Sequence, residues 1–207
     1  MIVIIDYDMG NVGSIANMIK RVGGESIISR DPEEIRKASK LILPGVGAFD
    51  TGMQNIEKFG LTTVLNQKVI VDGAPILGIC LGMQLFTNRS EEGKVRGLGW
   101  IEAETVRFPS STPDVAKLRI PHMGWNHAVP AKSDALIHDL PEEMRFYFVH
   151  SYHVVCANKS DELLTTTYGI PFTSALSKAN IWGTQFHPEK SHTFGMRIIH
   201  NFVHNLQ

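Results

Sequence analysis

The chain has 207 residues, of which 43% are hydrophobic and 20% are charged, a composition typical of a folded domain and not of intrinsic disorder. Twenty Lys and Arg balance 21 Asp and Glu, so no net charge attracts the chain to nucleic acid or to an anionic membrane. The N-terminus lacks the basic run of a signal peptide, and no window reaches the roughly 18 uninterrupted apolar residues that span a bilayer. These features predict a cytoplasmic protein that binds neither nucleic acid nor membrane.

The first half of the chain alternates short apolar runs with helical spacing. The apolar runs predict strands over residues 2–5, 26–29, 40–43 and 75–80. Apolar residues three or four apart predict helices from Asn11 to the glycines at 23–24, after the capping Asp31, over about 53–71 and over 81–88. This alternation predicts a parallel sheet with helices on both faces.

The second half has a different pattern, in which strand-like runs are separated by turn-rich stretches such as 109–114. The runs are 101–107, 145–150, 163–168, 173–176 and 181–185. They predict an antiparallel extension of the first sheet, or a mixed sheet beside it. Residues 194–206 return to helical spacing. Since we find no repeat and no linker, we expect one domain over residues 1–207.

The stretch Gly78-Ile79-Cys80-Leu81-Gly82 joins a predicted strand directly to a predicted helix. A sharp turn of this kind strains its central residue and exposes it at the carboxyl end of the sheet, and side chains two positions away would collide. The adjacent helix N-terminus favours an anion, which makes a cysteine there a better nucleophile. The alternative is a buried structural cysteine between two packing glycines.

A base for such a nucleophile is available in His187-Pro188-Glu189. Pro188 is expected to keep the chain extended, so that the Glu189 carboxylate reaches one imidazole nitrogen while the other faces the thiol. A surface or capping histidine is the alternative for His187 taken alone. The loop Pro44-Gly45-Val46-Gly47, after the third predicted strand, has glycines that let backbone N–H groups point at a ligand. The alternative for this loop is an ordinary strand-to-helix turn.

Together these segments resemble the class I, triad-type glutamine amidotransferases, through Gly78-x-Cys80-x-Gly82-x-Gln84, Pro44-Gly45-x-Gly47 and His187-Pro188-Glu189. The closest resemblance is to the glutaminase subunits of imidazole glycerol phosphate synthase. That narrower likeness is carried by Asp6-Tyr7 with Gly10-Asn11, 44–49, 121–126, 147–152 and 187–191. The resemblance covers nearly the whole chain and implies a flavodoxin-like three-layer α/β/α fold, with a mixed, mostly parallel central sheet and an antiparallel extension.

The resemblance also implies hydrolysis of glutamine to glutamate and ammonia. In that scheme Cys80 attacks the side-chain amide, His187 acts as general base and acid, and Glu189 orients His187. Backbone N–H groups of Gly47 and Leu81 would stabilise the oxyanion. No cofactor and no metal are expected.

Further positions correspond to residues that hold the substrate or face a second subunit in the family. Those that hold glutamine are Gln84, Glu92, Ser151 and Tyr152. Those that face the cyclase subunit, with which a heterodimer is expected, are Asn11, Met123, Trp125, Tyr147 and Lys190. Ammonia would pass to the cyclase, which makes imidazole glycerol phosphate and an aminoimidazole carboxamide ribotide in histidine biosynthesis.

One position departs from the family pattern, because Asp8 stands where many members have glycine. An added carboxylate near the expected interface is compatible with a paralogue that supplies ammonia to a sugar-amidinating enzyme of surface-polysaccharide synthesis. Lys190 and the 121–126 segment favour the histidine pathway. A stand-alone cysteine hydrolase and a catalytically silent binding module are further alternatives. Cys156, in an apolar run, is expected to be a core residue.

Overall fold

The first half of the chain follows the predicted alternation in the computed structural model, which describes residues 1–111, 113 and 117–206. Its elements are β1 (Ile2–Ile5), α1 (Val12–Arg21), β2 (Ser26–Ser29), α2 (Pro32–Lys37), β3 (Lys40–Gly45), α3 (Phe49–Lys58), α4 (Leu61–Asn66), a π-helical turn (Gln67–Val71), β4 (Ile76–Cys80) and α5 (Leu81–Leu85). The Asp31 side chain caps α2 by accepting from the Glu33 N–H at 2.8 Å, as the sequence predicts.

The second half is richer in strands than predicted. Its elements are β5 (Arg89–Ser90), β6 (Ala103–Arg107), β7 (His122–His127), β8 (Val129–Pro130), β9 (Arg145–His150), β10 (Tyr152–Cys156), β11 (Glu162–Tyr168), β12 (Ile170–Lys178), β13 (Ile181–Thr184) and α6 (His192–His204). Strands β5, β7, β8 and β10 have no counterpart in the prediction. Residues 112 and 114, in the turn-rich stretch 109–114, lie outside the described residues.

Two predicted boundaries are wrong. The helix expected over 53–71 begins at Phe49 and is interrupted at Gly60, which has a left-handed φ of 67°. Strand β3 does not stop before Pro44, because it pairs with β4 as far as Gly45 opposite Cys80. Its proline is tolerated in the register that this pair adopts, and the strand end is brought beside the end of β4.

Among the described residues the main sheet has eleven strands, ordered β2-β1-β3-β4-β13-β12-β10-β6-β5, with β11 and β8 attached beyond β12. The pairs β1–β2, β1–β3, β3–β4 and β4–β13 are parallel, whereas β12 pairs antiparallel with β13, β10 and β11. Strands β7 and β9 form a separate two-stranded antiparallel sheet. The parallel strands place their carboxyl ends at one edge, where ligand sites in such folds form.

Alternate residues of β1 enter different cores, because a strand period of two sends neighbouring side chains to opposite faces. Val3 and Ile5 join a cluster with side chains of α3 and α4, and Ile2 and Ile4 join one with side chains of α1 and α6. Helices therefore cover both faces of the sheet, which is the predicted three-layer α/β/α arrangement with an antiparallel extension. Across the described residues, no helix is both long enough and apolar enough to cross a membrane.

Candidate active site

Cys80 occupies a strained turn between β4 and α5. Its φ of 54° and ψ of -107° lie in a region that non-glycine residues rarely adopt. A Cβ at Gly82 would lie 1.8 Å from the Leu43 carbonyl oxygen, and one at Gly78 would lie 2.6 Å from the Phe86 ring. Steric collision therefore requires both flanking glycines, as the sequence predicts. The turn places the thiol at the carboxyl edge of the sheet, but the expectation that it exposes Cys80 is wrong, because the residue is only 7% exposed and lines the pocket described below.

His187 and Glu189 form a buried pair just beyond β13. Nδ1 of His187 lies 2.9 Å from Oε1 of Glu189, and the two side chains are only 1% and 5% exposed. The expectation of an extended chain at Pro188 is wrong, since Pro188–Lys190 forms a 3-10 turn. The turn curls the carboxylate back toward the imidazole of the residue two positions earlier, so the contact forms by a different local geometry.

The pair is electrostatically matched to the thiol. Burial opposes a charged imidazole, but the Cys80 thiol and the Glu189 carboxylate outweigh it and raise the pKa of His187 to about 10. Burial likewise opposes the Glu189 carboxylate, yet the bond to His187 and the nearby Asn11 amide hold the pKa of Glu189 below its ordinary value. Both neighbours therefore favour the charged form of His187, although its Nε2 atom has no hydrogen-bond partner among the described residues.

A pocket of about 420 Å³ gathers most of the predicted site. Among its lining residues are Gly47, Cys80, Leu81, Gln84, Glu92, Ser151, Tyr152 and His187. Glu189 is not in the lining, because it lies behind His187. A larger surface cavity, of about 830 Å³, is formed by the 88–99 segment and contains none of the predicted site residues.

The loop after β3 borders this pocket through Val46 and Gly47. Gly47 has a φ of 114°, and a Cβ there would lie 2.9 Å from the Met9 methyl carbon. A Cβ at Gly45 would lie 2.4 Å from the Tyr7 hydroxyl. The positive φ of Gly47 and the close contact at Gly45 therefore require residues without a side chain. The two glycines allow this segment to pack against the Cys80 turn.

Two of the pocket's polar residues are held by bonds within the chain. Oε2 of Glu92 accepts from the Phe49 N–H at 2.9 Å. Nε2 of Gln84 donates to the Tyr152 carbonyl at 3.1 Å and to Oε1 of Gln185 at 3.0 Å. These contacts fix the directions from which a carboxylate and an amide border the pocket.

The residues predicted to face a second subunit do not line the pocket. Met123 and Trp125, on β7, are 62% and 42% exposed, and Trp125 pairs with Tyr147 of β9. The Lys190 ammonium lies 5.6 Å from the Tyr147 ring centroid. We call these four residues the aromatic face. It adjoins the buried pair directly, because the His187 N–H donates to the Tyr147 carbonyl at 3.0 Å. Asn11 is exposed at the start of α1 and reaches the Glu189 side of the same region.

Asp8, the departure from the family pattern, has a left-handed φ of 62°, which explains why glycine suits this position. Its carboxylate accepts from Arg30 at 2.6 Å, and Arg30 also donates to Asp6 at 2.7 Å. The added charge is therefore paired within the chain.

Sequence reasoning missed one contact of the nucleophile. Gln185 donates to Sγ of Cys80 across 3.6 Å, although the only sequence signal was a polar residue at the end of an apolar strand. His150 lines the pocket and bonds to His122, at 2.9 Å between ring nitrogens. Within the described residues, no group of three or more His, Cys, Asp or Glu is arranged to hold a metal ion. Cys156 is buried, as predicted, and burial raises the pKa of its thiol to about 11.

A strained cysteine beside a buried His–Glu pair, at the carboxyl edge of an α/β sheet, is the arrangement typical of thiol-dependent acyl-transfer enzymes. Comparison with known proteins agrees with that class. The sequence profile of the family "Glutamine amidotransferase class-I" matches residues 3–206. An imidazole glycerol phosphate synthase subunit HisH 2 of Methanococcus maripaludis is 57% identical over 203 residues, which cover 98% of each chain.

A subunit with the same printed name from Pseudomonas aeruginosa is 49% identical, again over 98% of each chain. Among solved structures, PurLQS from Thermotoga maritima shares the fold, with a TM-score of 0.74 at 15% identity over 100% of this chain and 98% of that one. The chain belongs to the class I glutamine amidotransferase family and, within it, to the family of HisH subunits.

Proposed function

We propose that the protein is a glutaminase in which Cys80 is the nucleophile and the His187–Glu189 pair moves the protons. The observation that carries the proposal is the single pocket in which the strained Cys80 and His187 meet, with Glu189 bonded to the far side of the imidazole. A carboxylate in that position fixes the tautomer and orientation of the ring.

The reaction follows from this arrangement. The Cys80 sulfur attacks the side-chain carbonyl carbon of glutamine, and the N–H groups of Gly47 and Leu81 stabilise the negative oxygen that forms. His187 gives its proton to the amide nitrogen, the C–N bond breaks, and ammonia leaves a thioester on Cys80. A water molecule, deprotonated by His187, then hydrolyses the thioester to glutamate. Gln84, Glu92, Ser151 and Tyr152 border the pocket where the polar ends of glutamine would lie.

We propose further that the ammonia passes to a cyclase subunit bound on the aromatic face. The two relatives quoted above carry the name of a synthase subunit, which supports a two-protein enzyme. A closed path has a chemical reason, since free ammonia at neutral pH is largely ammonium and no longer nucleophilic. The backbone bond between His187 and Tyr147 provides contact between that face and the reacting groups.

Replacing the nucleophile tests the proposal. Cys80→Ala, assayed in complex with the cyclase subunit, should lose glutamine-dependent synthesis of imidazole glycerol phosphate and keep synthesis from added ammonium salts. Cys156→Ala is the matched control, because it removes the other thiol outside the pocket, and it should keep both activities. Loss of both activities in a folded Cys80→Ala complex, or of neither, would contradict the role of Cys80.

A sugar-amidinating synthase of surface-polysaccharide synthesis is the second candidate partner. Asp8, which stands where many family members have glycine, is the observation that motivates this candidate, although its carboxylate is paired with Arg30. The same glutaminase residues would serve either partner. Titrating the protein with each purified synthase decides between them, because only the true partner should increase glutamine hydrolysis and bind at micromolar concentration or below.

A further inference from the structure

Gln185 lies between the substrate pocket and the nucleophile. It is fully buried, it follows β13, and its backbone N–H donates to the Ser174 carbonyl at 2.9 Å. Its side-chain amide contacts Gln84 on one side and Cys80 on the other. Both polar atoms of this buried amide make hydrogen bonds, one of them to the thiol, so its position has a chemical consequence in addition to filling space.

The contacts fix which end of the amide faces the sulfur. The Tyr152 carbonyl can only accept, so the Gln84 atom 3.1 Å away is its nitrogen. The second N–H of that nitrogen points to Gln185 at 3.0 Å, which must therefore present its oxygen. The nitrogen of Gln185 is left toward Sγ of Cys80, at 3.6 Å. Each of these hydrogen bonds therefore has one defined direction, and the last one directs an N–H of Gln185 at the Cys80 sulfur.

An N–H donor discriminates between the two forms of a cysteine. A thiolate is a strong acceptor and a thiol is a weak one, so the bond favours the ionised sulfur, and more so where water is excluded. His187 approaches the same sulfur from the same segment of chain. Within the described residues Nε2 of His187 has no hydrogen-bond partner, so the hydrogen bond to the sulfur comes from Gln185, while His187 exchanges protons with the substrate.

We propose that Gln185 is a positioning residue that holds the Cys80 sulfur in its ionised, attack-ready form and ties its orientation to Gln84 in the pocket. The inference rests on the proposed glutaminase function and adds a hydrogen-bond donor to it. Other ionisable groups that face the sulfur are His187 with Glu189 behind it, the buried Tyr7 from the end of β1, and Glu92 across the pocket. None of these groups is changed by a substitution at position 185.

The test measures how readily Cys80 is alkylated by iodoacetamide as a function of pH, in the free protein, with the modified peptide identified by mass spectrometry. In Gln185→Met, which keeps the volume and removes the donor, the midpoint of the pH profile should rise by about one pH unit, and the rate at pH 7 should fall roughly tenfold. In the synthase complex, kcat with glutamine should fall by a similar factor with little change in KM. Synthesis from ammonium should remain unchanged.

Gln54→Glu serves as the control, because it alters an exposed amide on α3, and it should leave the profile unchanged. Should Gln185→Met fail to fold, Gln84→Met frees the Gln185 amide to rotate and should raise the midpoint in the same direction. An unchanged midpoint in a folded variant would overturn the inference, as would equal losses of glutamine- and ammonium-dependent synthesis. The alkylation arm needs no partner, so it remains informative even if glutaminase activity is absent and the proposed function fails.

Discussion

At position 82, one backbone atom decides which residue the chain can accept. The Leu43 carbonyl oxygen would lie 1.8 Å from a Cβ there, and Leu43 is fixed in place because β3 pairs with β4 along its length. The strain at Cys80, of order 1–3 kcal/mol for such a backbone, persists because these neighbours leave no alternative path. The spacing of the two glycines about the cysteine is therefore a steric requirement of the turn.

Gly82→Ala should lower the free energy of unfolding by about 3 kcal/mol or more, because either β3 or the turn must shift to admit the methyl group. Urea denaturation followed by circular dichroism measures the loss. Gly13→Ala provides the comparison, since a Cβ on that residue of α1 meets nothing within 4 Å, and it should stabilise by roughly 0.5 kcal/mol. Equal effects at the two positions would rule out the steric argument.

At the scale of elements, strand β7 presents two different faces. Met123 and Trp125 point outward, whereas His122 and Asn126 point toward the interior. Nδ2 of Asn126 lies 3.2 Å from Nε2 of His122, and Nδ1 of His122 lies 2.9 Å from Nε2 of His150. Nδ1 of His150 in turn lies 2.8 Å from the Tyr152 carbonyl oxygen. The carbonyl only accepts, so His150 carries a proton on Nδ1. The Asn126 amide nitrogen only donates, so His122 carries its proton on Nδ1 and donates it to Nε2 of His150, which leaves both imidazoles neutral. The strand therefore connects the aromatic face to the wall of the pocket.

This histidine chain makes stability sensitive to acid. Burial lowers the pKa of His122 to about 4, that of His150 to about 3 and that of nearby His153 to about 4. Above pH 6.5 neither the folded nor the unfolded chain protonates them. As the pH falls from 6.5 toward 4, these histidines bind protons in the unfolded chain but stay neutral in the folded one. The free energy of unfolding should therefore fall by up to about 1.4 kcal/mol per pH unit for each histidine.

Urea denaturation at pH 7, 6 and 5 tests this expectation. His122→Phe should give a shallower dependence on pH, whereas His127→Gln, an exposed change on the same strand, should leave the slope as it is. His187 acts in the opposite sense, since its raised pKa adds stability that is complete below pH 6.5 and lost as the pH rises toward 10. It therefore contributes nothing to the acidic slope. If the wild type, His122→Phe and His127→Gln showed the same pH dependence of the unfolding free energy, the hydrogen-bonded histidines would have to be protonated in the folded state.

Sequence predicted the elements whose signals are local. The bounds of β1 and β2 and the capped start of α2 were correct because burial and capping leave regular patterns. The break at Gly60 was missed because apolar spacing continues across it. Strand β7 was missed because its interior residues His122 and Asn126 are polar and bond to His150 and Thr167, which lie far along the chain. The same limit applies to the site: Cys80 and its glycines are a local motif, whereas the Gln84–Gln185 contact joins residues 101 positions apart.

For the molecule as a whole, the aromatic face has the composition of a binding surface. It combines an exposed Met and Trp with a half-buried Tyr and an exposed Lys, and large aromatic and methionine side chains are the ones enriched where proteins meet. Trp125 is further held by His192, with ring centroids 5.3 Å apart, and by Arg145, whose guanidinium lies 5.7 Å from the ring. These contacts preorganise the indole and reduce the entropy lost when a partner covers it.

Trp125→Ala should therefore weaken binding of the cyclase subunit at least tenfold, by about 1.4 kcal/mol or more, because a preorganised aromatic near the centre of an interface contributes strongly to affinity. Isothermal titration of the two purified subunits measures the change, and an unaltered urea midpoint confirms that the variant is folded. Val129→Ala is the matched control, since Val129 is 60% exposed on β8 and lies outside the aromatic face. Unchanged affinity in Trp125→Ala would place the partner on another surface. A weakened complex that, once saturated, hydrolyses glutamine at the normal rate would show that the face binds the partner without acting on His187.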